Sequence, residues 1–228
     1  QTQTERVAQF YPRFLQKFPT IQSLARASIS DVLTAWQGLG YNRRALALHK
    51  LSKIVNAAYN GKVPKKYEYL LALPGVGPAT AGGILAYAFN IGIPFIETNI
   101  RRAFIHHFFK KRKNISDGEI LSLIAETMPR ANPREWYWAL MDYGSSLARK
   151  MPNPNRRSVH YRRQPEFEGS HRALRAKVLK KILAEQSITI AKLAKTLAEQ
   201  PYRIQSVTAE LAREGFIHKN GITLVMKK

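Results

Sequence analysis

Residues 73–85 read L-P-G-V-G-P-A-T-A-G-G-I-L, and the segments on both sides of this stretch read as helix. That combination leaves the backbone few options. Gly75 and Gly77 open conformations closed to other residues. Pro74 fixes the entry to the turn, and Pro78 suits the first turn of a following helix. The expected unit is therefore helix, tight hairpin, helix, with bare amides at the loop and a helix N-terminus behind it. Such a loop grips an anion through backbone alone. The same pattern also serves as a plain helix–helix turn without a ligand.

The charge balance favours an anion. The chain has 228 residues, with 37 Lys+Arg against 15 Asp+Glu, a formal net charge of +22. This points to a polyanionic partner, nucleic acid above all. An anionic membrane surface would call for an isolated basic amphipathic helix, and the sequence offers none. No apolar run is long enough to span a bilayer, and the start shows no signal-peptide pattern. There is no cysteine, which removes disulfides, thiolate metal sites and cysteine-held iron–sulfur clusters. A monomeric intracellular protein is expected, nucleoid-associated in a prokaryotic cytoplasm.

Apolar spacing predicts helices throughout residues 1–147. Ser30 reads as an N-cap, with Gly38 and Gly40 as the stop of that helix. Further helices are predicted over 45–59, 67–73, 78–89, 99–109, 116–128 and 133–147. From Arg149 to Gln164 there are Pro152, Pro154, six Lys/Arg and no acid, which predicts an extended basic linker. Helices follow over 173–184, 189–199 and 202–214. Two short apolar runs then flank Asn220-Gly221, a strong hairpin signal. Three helices and a two-stranded hairpin predict a winged helix-turn-helix. The expected domains are 1–148, a basic linker over 149–169, and the winged helix over 170–228.

With I-E-T-N-I-R-R over 96–102, the hairpin stretch resembles the helix-hairpin-helix (HhH-GPD) DNA glycosylases. F-P-T-I-Q-S-L-A, W-Q-G-L-G-Y, A-L-A-L-H-K and G-K-V-P resemble the adenine glycosylase, or MutY-type, branch. The resemblance covers roughly the first two-thirds of the chain and implies an all-α glycosylase domain of two helical subdomains. Such enzymes bend a duplex, flip a nucleotide out and cut its base from the sugar. It implies backbone-mediated DNA contacts at Leu73, Gly75, Val76, Gly77, Ala79 and Thr80. It also implies an alkali ion, Na+ or K+, on the carbonyls of Leu71, Leu73 and Val76.

The family's catalytic aspartate corresponds to Glu97. A carboxylate there stabilises the positive charge that builds on the sugar as the N-glycosidic bond breaks. The alternative for Glu97 is a helix-capping acid. Asn99 is the second catalytic candidate, placed to bond Glu97 or the flipped sugar-phosphate. Bifunctional relatives carry a lysine where this chain has Ala79, so the expected enzyme is monofunctional. The branch carries a general-acid glutamate a few residues before Q-T-Q, a position upstream of Gln1. Its iron–sulfur cysteines and its Nudix-like domain have no counterpart in this sequence.

Further DNA contacts are expected at Gln1, Tyr41 and Asn42, at Arg101, at Arg156 and Arg157 in the linker, and at Arg203, Gln205 and Ser206, with Thr208, in the last helix. The expected partner is double-stranded DNA with a damaged or mispaired base. The expected reaction is excision of adenine opposite guanine or 8-oxoguanine. Uracil or thymine opposite guanine is the rival substrate, and a non-catalytic DNA-binding descendant is the rival function. His106-His107 reads as ordinary core or surface rather than metal, and Trp136, Tyr137 and Trp138 as packing.

Overall fold

The computed structural model describes residues 4–163 and 166–227. The described parts of Gln1–Val63 and Pro165–Lys228 form one compact unit, and those of Pro64–Gln164 form a second. Gln1 lies outside the described residues.

The first unit opens with α1 (Thr4–Lys17), α2 (Ile21–Arg26), α3 (Ile29–Trp36) and α4 (Arg43–Ala58). The α3 cap is Ser28, two residues before the expected Ser30: its hydroxyl accepts the Asp31 amide. Ser30 instead lies inside the helix, where its carbonyl accepts the Thr34 hydroxyl. Gly38 and Gly40 have positive φ and end the segment as expected. Tyr41 follows with φ +48, and Asn42 is the N-cap of α4 without a side-chain cap bond.

The same unit contains α10 (His171–Glu185), α11 (Ile190–Leu197) and α12 (Pro201–Glu214), with strands β1 (Ser187–Thr189), β2 (Ile217–Asn220) and β3 (Thr223–Met226). The sheet is antiparallel in the order β1-β3-β2. The β2–β3 hairpin matches the sequence reading. Its loop, however, is Gly221-Ile222, because Asn220 already pairs with Thr223. Gly221 takes φ +58, the conformation that a two-residue hairpin wants at its first central position. Strand β1 was not expected; at three residues it is too short to show an alternation.

The core of these C-terminal helices is continuous with that of α3. Val32, Leu33 and Trp36 belong to the same buried cluster as Leu174, Val178, Ile182 and Leu211. Ion pairs reinforce this contact. Glu214 accepts Arg43 Nε at 2.8 Å and Nη2 at 2.6 Å, and Arg175 Nη1 at 2.9 Å and Nη2 at 2.6 Å. Burial works to raise the Glu214 pKa, but the bonds from Arg43 and Arg175 outweigh it and hold the carboxyl below its usual range.

Glu214→Gln should therefore destabilise this unit. Arg175 is only 16% exposed and keeps Glu210 at 3.6 Å, so the change leaves a shielded guanidinium poorly paired, at a cost of roughly 2 kcal/mol. The folded-state pKa is depressed, so the contribution is complete above the unfolded value near 4.5 and fades as pH falls through the folded value. Denaturation at neutral pH should separate the variant from the parent. The two should converge in strong acid; an equal gap at both pH values contradicts the assignment.

The second unit comprises α5 (Tyr67–Leu71), α6 (Pro78–Phe89), α7 (Thr98–Phe108), α8 (Asp117–Thr127) and α9 (Pro133–Lys150), with a 3-10 turn at Pro154–Arg157. Its core gathers Ala86, Phe95, Ile100, Phe104, Ile105, Ile115, Ile120, Ile124 and Tyr137. Ser116 and Glu119 form the expected capping box of α8.

The predicted extended linker is not extended. Helix α9 runs through Arg149 and Lys150, and the chain beyond it docks on α7. Pro154 and Asn155 are buried, and Asn155 Nδ2 donates to Thr98 O at 2.9 Å. Ile115 and Ser158 form a parallel bridge. The basic composition concealed this docking, because neutral Pro154 and Asn155 are buried in it and Arg157 turns inward to the end of α7.

Candidate active site

The hairpin forms as its glycines require. Leu73, Pro74, Gly75 and Val76 make a turn closed by Val76 N donating to Leu73 O at 3.1 Å. Proline at the second position and Gly75 at φ +75 at the third are the residues a type II turn wants. Gly77 then precedes α6 as an N-cap without a side-chain bond, and Pro78 starts the helix. Gly75, Gly77, Ala79 and Thr80 are exposed. The amides of Ala79 and Thr80 fall among those a helix leaves without an intrahelical acceptor. Leu73 and Val76 turn their side chains into the core, at 4% and 8% exposure. Only their backbones remain for a ligand.

The carbonyl set suits an alkali ion, which takes uncharged oxygen donors. Leu73 O accepts only the turn amide, and Leu71 O and Val76 O accept no loop or cap bond among the described residues.

From α6 the chain turns back toward Glu97. Gly82 lets the helix pass tightly over Phe95: a Cβ on it would sit 2.6 Å from the Phe95 side chain. The buried Tyr137 hydroxyl clips the same segment, donating to Ile93 O at 2.9 Å and accepting the Phe95 amide at 3.3 Å. Burial pushes the Tyr137 pKa up to about 12, so the hydroxyl keeps its proton. Tyr87 packs edge-on against Phe95 and Tyr137. Its hydroxyl is buried without a hydrogen-bond partner among the described residues. Burial first, and then the charge of Glu97, push its pKa well above the usual tyrosine range.

Glu97 caps α7. Its Oε1 accepts the Asn99 amide, and the Ile100 amide at 2.7 Å. The capping alternative is thus realised, yet it occupies one oxygen only. Oε2 has no hydrogen bond among the described residues. The arrangement fixes the carboxylate by one oxygen and leaves the other to face a developing cation.

Asn99 bonds Glu97 through its backbone, not its side chain. Its Oδ1 is taken by Arg102 Nη1 at 2.7 Å, and the side-chain Nδ2 of Asn99 has no acceptor among the described residues. Arg102 is only 8% exposed and also donates to Gly144 O at 2.6 Å and Asn153 Oδ1 at 3.2 Å. Burial lowers its pKa, and Glu97 opposes that shift. Its neighbour Arg101, the expected DNA contact, is placed differently. Arg101 is engaged as a bidentate pair with Asp117, at 2.8 and 2.7 Å, so it is not a free phosphate ligand. That pairing holds the Asp117 carboxyl below its usual range.

The other expected contacts differ in how far their side chains are engaged within the chain. Arg157 donates to Phe109 O at 3.2 Å and Ile105 O at 2.9 Å, satisfying carbonyls at the end of α7 rather than reaching outward. Arg203 pairs with Glu199 at 2.7 Å. Thr208 is buried. Arg156, Gln205 and Ser206 are exposed. Tyr41 is 46% exposed and belongs to the first unit, as does Asn42.

Gly144 was not singled out from the sequence. It is the point where α9 crosses α7, and a Cβ there would lie 2.1 Å from Asn99 O. His107 stacks on Tyr143, and no group of metal-ligating side chains occurs among the described residues.

Residues 1–130 match the family described as HhH-GPD superfamily base excision DNA repair protein. Over 154 residues the chain is 33% identical to the adenine DNA glycosylase of Buchnera aphidicola subsp. Baizongia pistaciae, covering 66% of this chain and 43% of that protein. It is 40% identical over 102 residues to the adenine DNA glycosylase of Mycobacterium tuberculosis, covering 45% of this chain and 34% of that protein. The chain thus spans less than half the length of these two curated relatives. A thermostable thymine-DNA glycosylase aligns with a TM-score of 0.55 at 22% identity, over 63% of this chain and 68% of that one. A trapped endonuclease III–DNA covalent intermediate aligns with a TM-score of 0.55 at 20% identity, over 74% of each chain. At these identities the structural likeness establishes the fold.

Proposed function

We propose that this chain, which belongs to the HhH-GPD superfamily of base excision DNA repair proteins, is a monofunctional DNA glycosylase that excises adenine opposite guanine or 8-oxoguanine. The observation that carries this reading is Glu97. Its carboxylate is anchored through Oε1 by two amides of α7 and keeps Oε2 free.

In this mechanism the hairpin holds a phosphate of the bent duplex. The Gly77 loop and the amides at the start of α6 supply donors without reading sequence. Leu71, Leu73 and Val76 would hold Na+ or K+ through their carbonyls, and the ion would supply positive charge beside the phosphate. As the N-glycosidic bond lengthens, positive charge grows on the sugar. Glu97 Oε2 lies on the side chain able to stabilise it, and the same oxygen can orient the attacking water. Glu97 must be anionic for this, so the proton that the departing base takes up comes from another group. Asn99 Nδ2, aimed by Arg102, is the donor left for the sugar-phosphate. The C-terminal helices and sheet act as a winged helix-turn-helix that contacts the same duplex.

The 33% and 40% identities to adenine DNA glycosylases support adenine as the base. Ala79 leaves no amine where a Schiff base would form. Purified protein should therefore leave an intact strand with an abasic site that breaks only on alkali treatment. Strand scission without alkali, together with a borohydride-trapped protein–DNA adduct, would show lyase chemistry and overturn the monofunctional assignment.

A further inference from the structure

The outward face of α12 differs from the rest of this basic chain. Tyr202, Gln205, Ser206 and Ala209 are exposed along one side of the helix, at positions i, i+3, i+4 and i+7. Tyr202 is 70% exposed. The opposite side, with Ile204, Val207, Thr208 and Leu211, is buried. No charged residue lies on the exposed face until Arg213, and Arg203 is drawn aside by Glu199. Gln205 and Ser206 make no side-chain hydrogen bond among the described residues.

Charge sits around this face rather than on it. Lys195 on α11, Arg213 at the end of α12 and Lys219 on β2 are exposed, and none is in an ion pair among the described residues. The three residues between α11 and α12 include Ala198 at φ +51, a sharp turn that leaves the start of α12 projecting.

A helix that only anchors a protein to phosphates gains by presenting Lys and Arg. A neutral face with amide and hydroxyl groups can hydrogen-bond phosphates but gains no charge neutralisation from them. It gains from base edges, and only where donor and acceptor patterns match. The major groove admits one α-helix, and glutamine pairs with adenine through two hydrogen bonds there. Ala209 keeps the middle of the face low enough for close approach.

We propose that α12 reads base edges in the major groove, so that this unit directs the chain to a preferred duplex sequence. This rests on the reading of the C-terminal helices and sheet as a duplex-binding module, and it is independent of base excision. Lys195, Arg213 and Lys219 then contact the flanking phosphates.

The test is selection from a random duplex library with the full chain carrying Glu97→Gln, so that excision does not interfere. The expected result is an enriched short consensus. Gln205→Ala with Ser206→Ala should lower the preference for that consensus over random duplex by roughly tenfold or more. The salt dependence of random-duplex binding should stay unchanged, because no charge is removed. Circular dichroism checks that both chains are folded. Ala209→Glu places a negative charge on the face and should weaken duplex binding overall. Loss of binding in that variant without any consensus in the parent overturns base reading but keeps the duplex contact. No consensus and no effect of Ala209→Glu overturns both. A consensus retained by the double variant overturns the assignment to Gln205 and Ser206.

Discussion

Glu97→Gln is expected to lower the single-turnover excision rate by about 100- to 1000-fold, the usual cost of removing one preorganised electrostatic stabiliser. The fold should survive. The glutamine side-chain oxygen can still accept the Asn99 and Ile100 amides that Glu97 Oε1 accepts now, so α7 stays capped. The charge on the second oxygen disappears. Duplex affinity should hold or rise slightly, since a negative group leaves the proposed DNA-facing site. Glu97→Asp is the informative companion. It keeps the charge and caps helices well, but withdraws the carboxylate by one methylene, and a misplacement of about 1 Å can cost on the order of 100-fold. Partial activity in the aspartate variant and none in the glutamine variant identifies the charge as the essential element. Equal rates in the parent and in Glu97→Gln would reduce Glu97 to a helix cap.

Gly144→Ala is expected to be the most damaging single methyl in the second unit. The added Cβ would lie 2.1 Å from Asn99 O and 2.6 Å from Asn99 C, and this is backbone that cannot rotate away. Helices α7 and α9 must separate, at roughly 3 kcal/mol, the upper end of overpacking costs. For a unit of this size that corresponds to a fall in melting temperature of roughly 10–20 °C. The displacement also reaches the chemistry. Arg102 donates both to Gly144 O and to Asn99 Oδ1, and Asn99 carries one of the amides that anchor Glu97. Excision should therefore fall at least tenfold even below the melting transition, since misplacement of reacting groups is costly. Calorimetry and single-turnover kinetics on one preparation check both parts. A melting temperature within a degree or two of the parent would contradict the crossing geometry.

The helices were readable because their apolar residues recur at helical spacing, and the hairpin because glycine and proline restrict the backbone on their own. Glu97 was readable through its neighbours in the I-E-T-N-I stretch. What surrounds it was not. Arg101 and Arg102 are identical in type and adjacent, and only packing decides that Arg101 turns to Asp117 while Arg102 is buried beside Asn99. Gly144 looks in sequence like a weak point within a helix, and its role appears only once α7 lies across α9. The segment 149–164 carries six Lys/Arg and no acid, so its composition suggests an extended basic linker. Its fate is set by the neutral Pro154, Asn155 and Ser158, and by Arg157 turning inward to the end of α7. Likewise, the C-terminal helices were expected to stand apart, but the apolar residues of α10 that would close a separate core belong to one cluster with those of α3.

The proposed reaction is hydrolytic release of adenine by a site built on Glu97. It is tested most directly by mass spectrometry of the free base released when the parent protein, in excess, meets duplexes carrying adenine opposite 8-oxoguanine, adenine opposite guanine, uracil opposite guanine and thymine opposite guanine. The predicted result is free adenine from the first two, lost in Glu97→Gln. Free uracil or thymine without adenine would contradict the assigned base. No base from any duplex, with salt-sensitive binding intact, would contradict the enzyme itself.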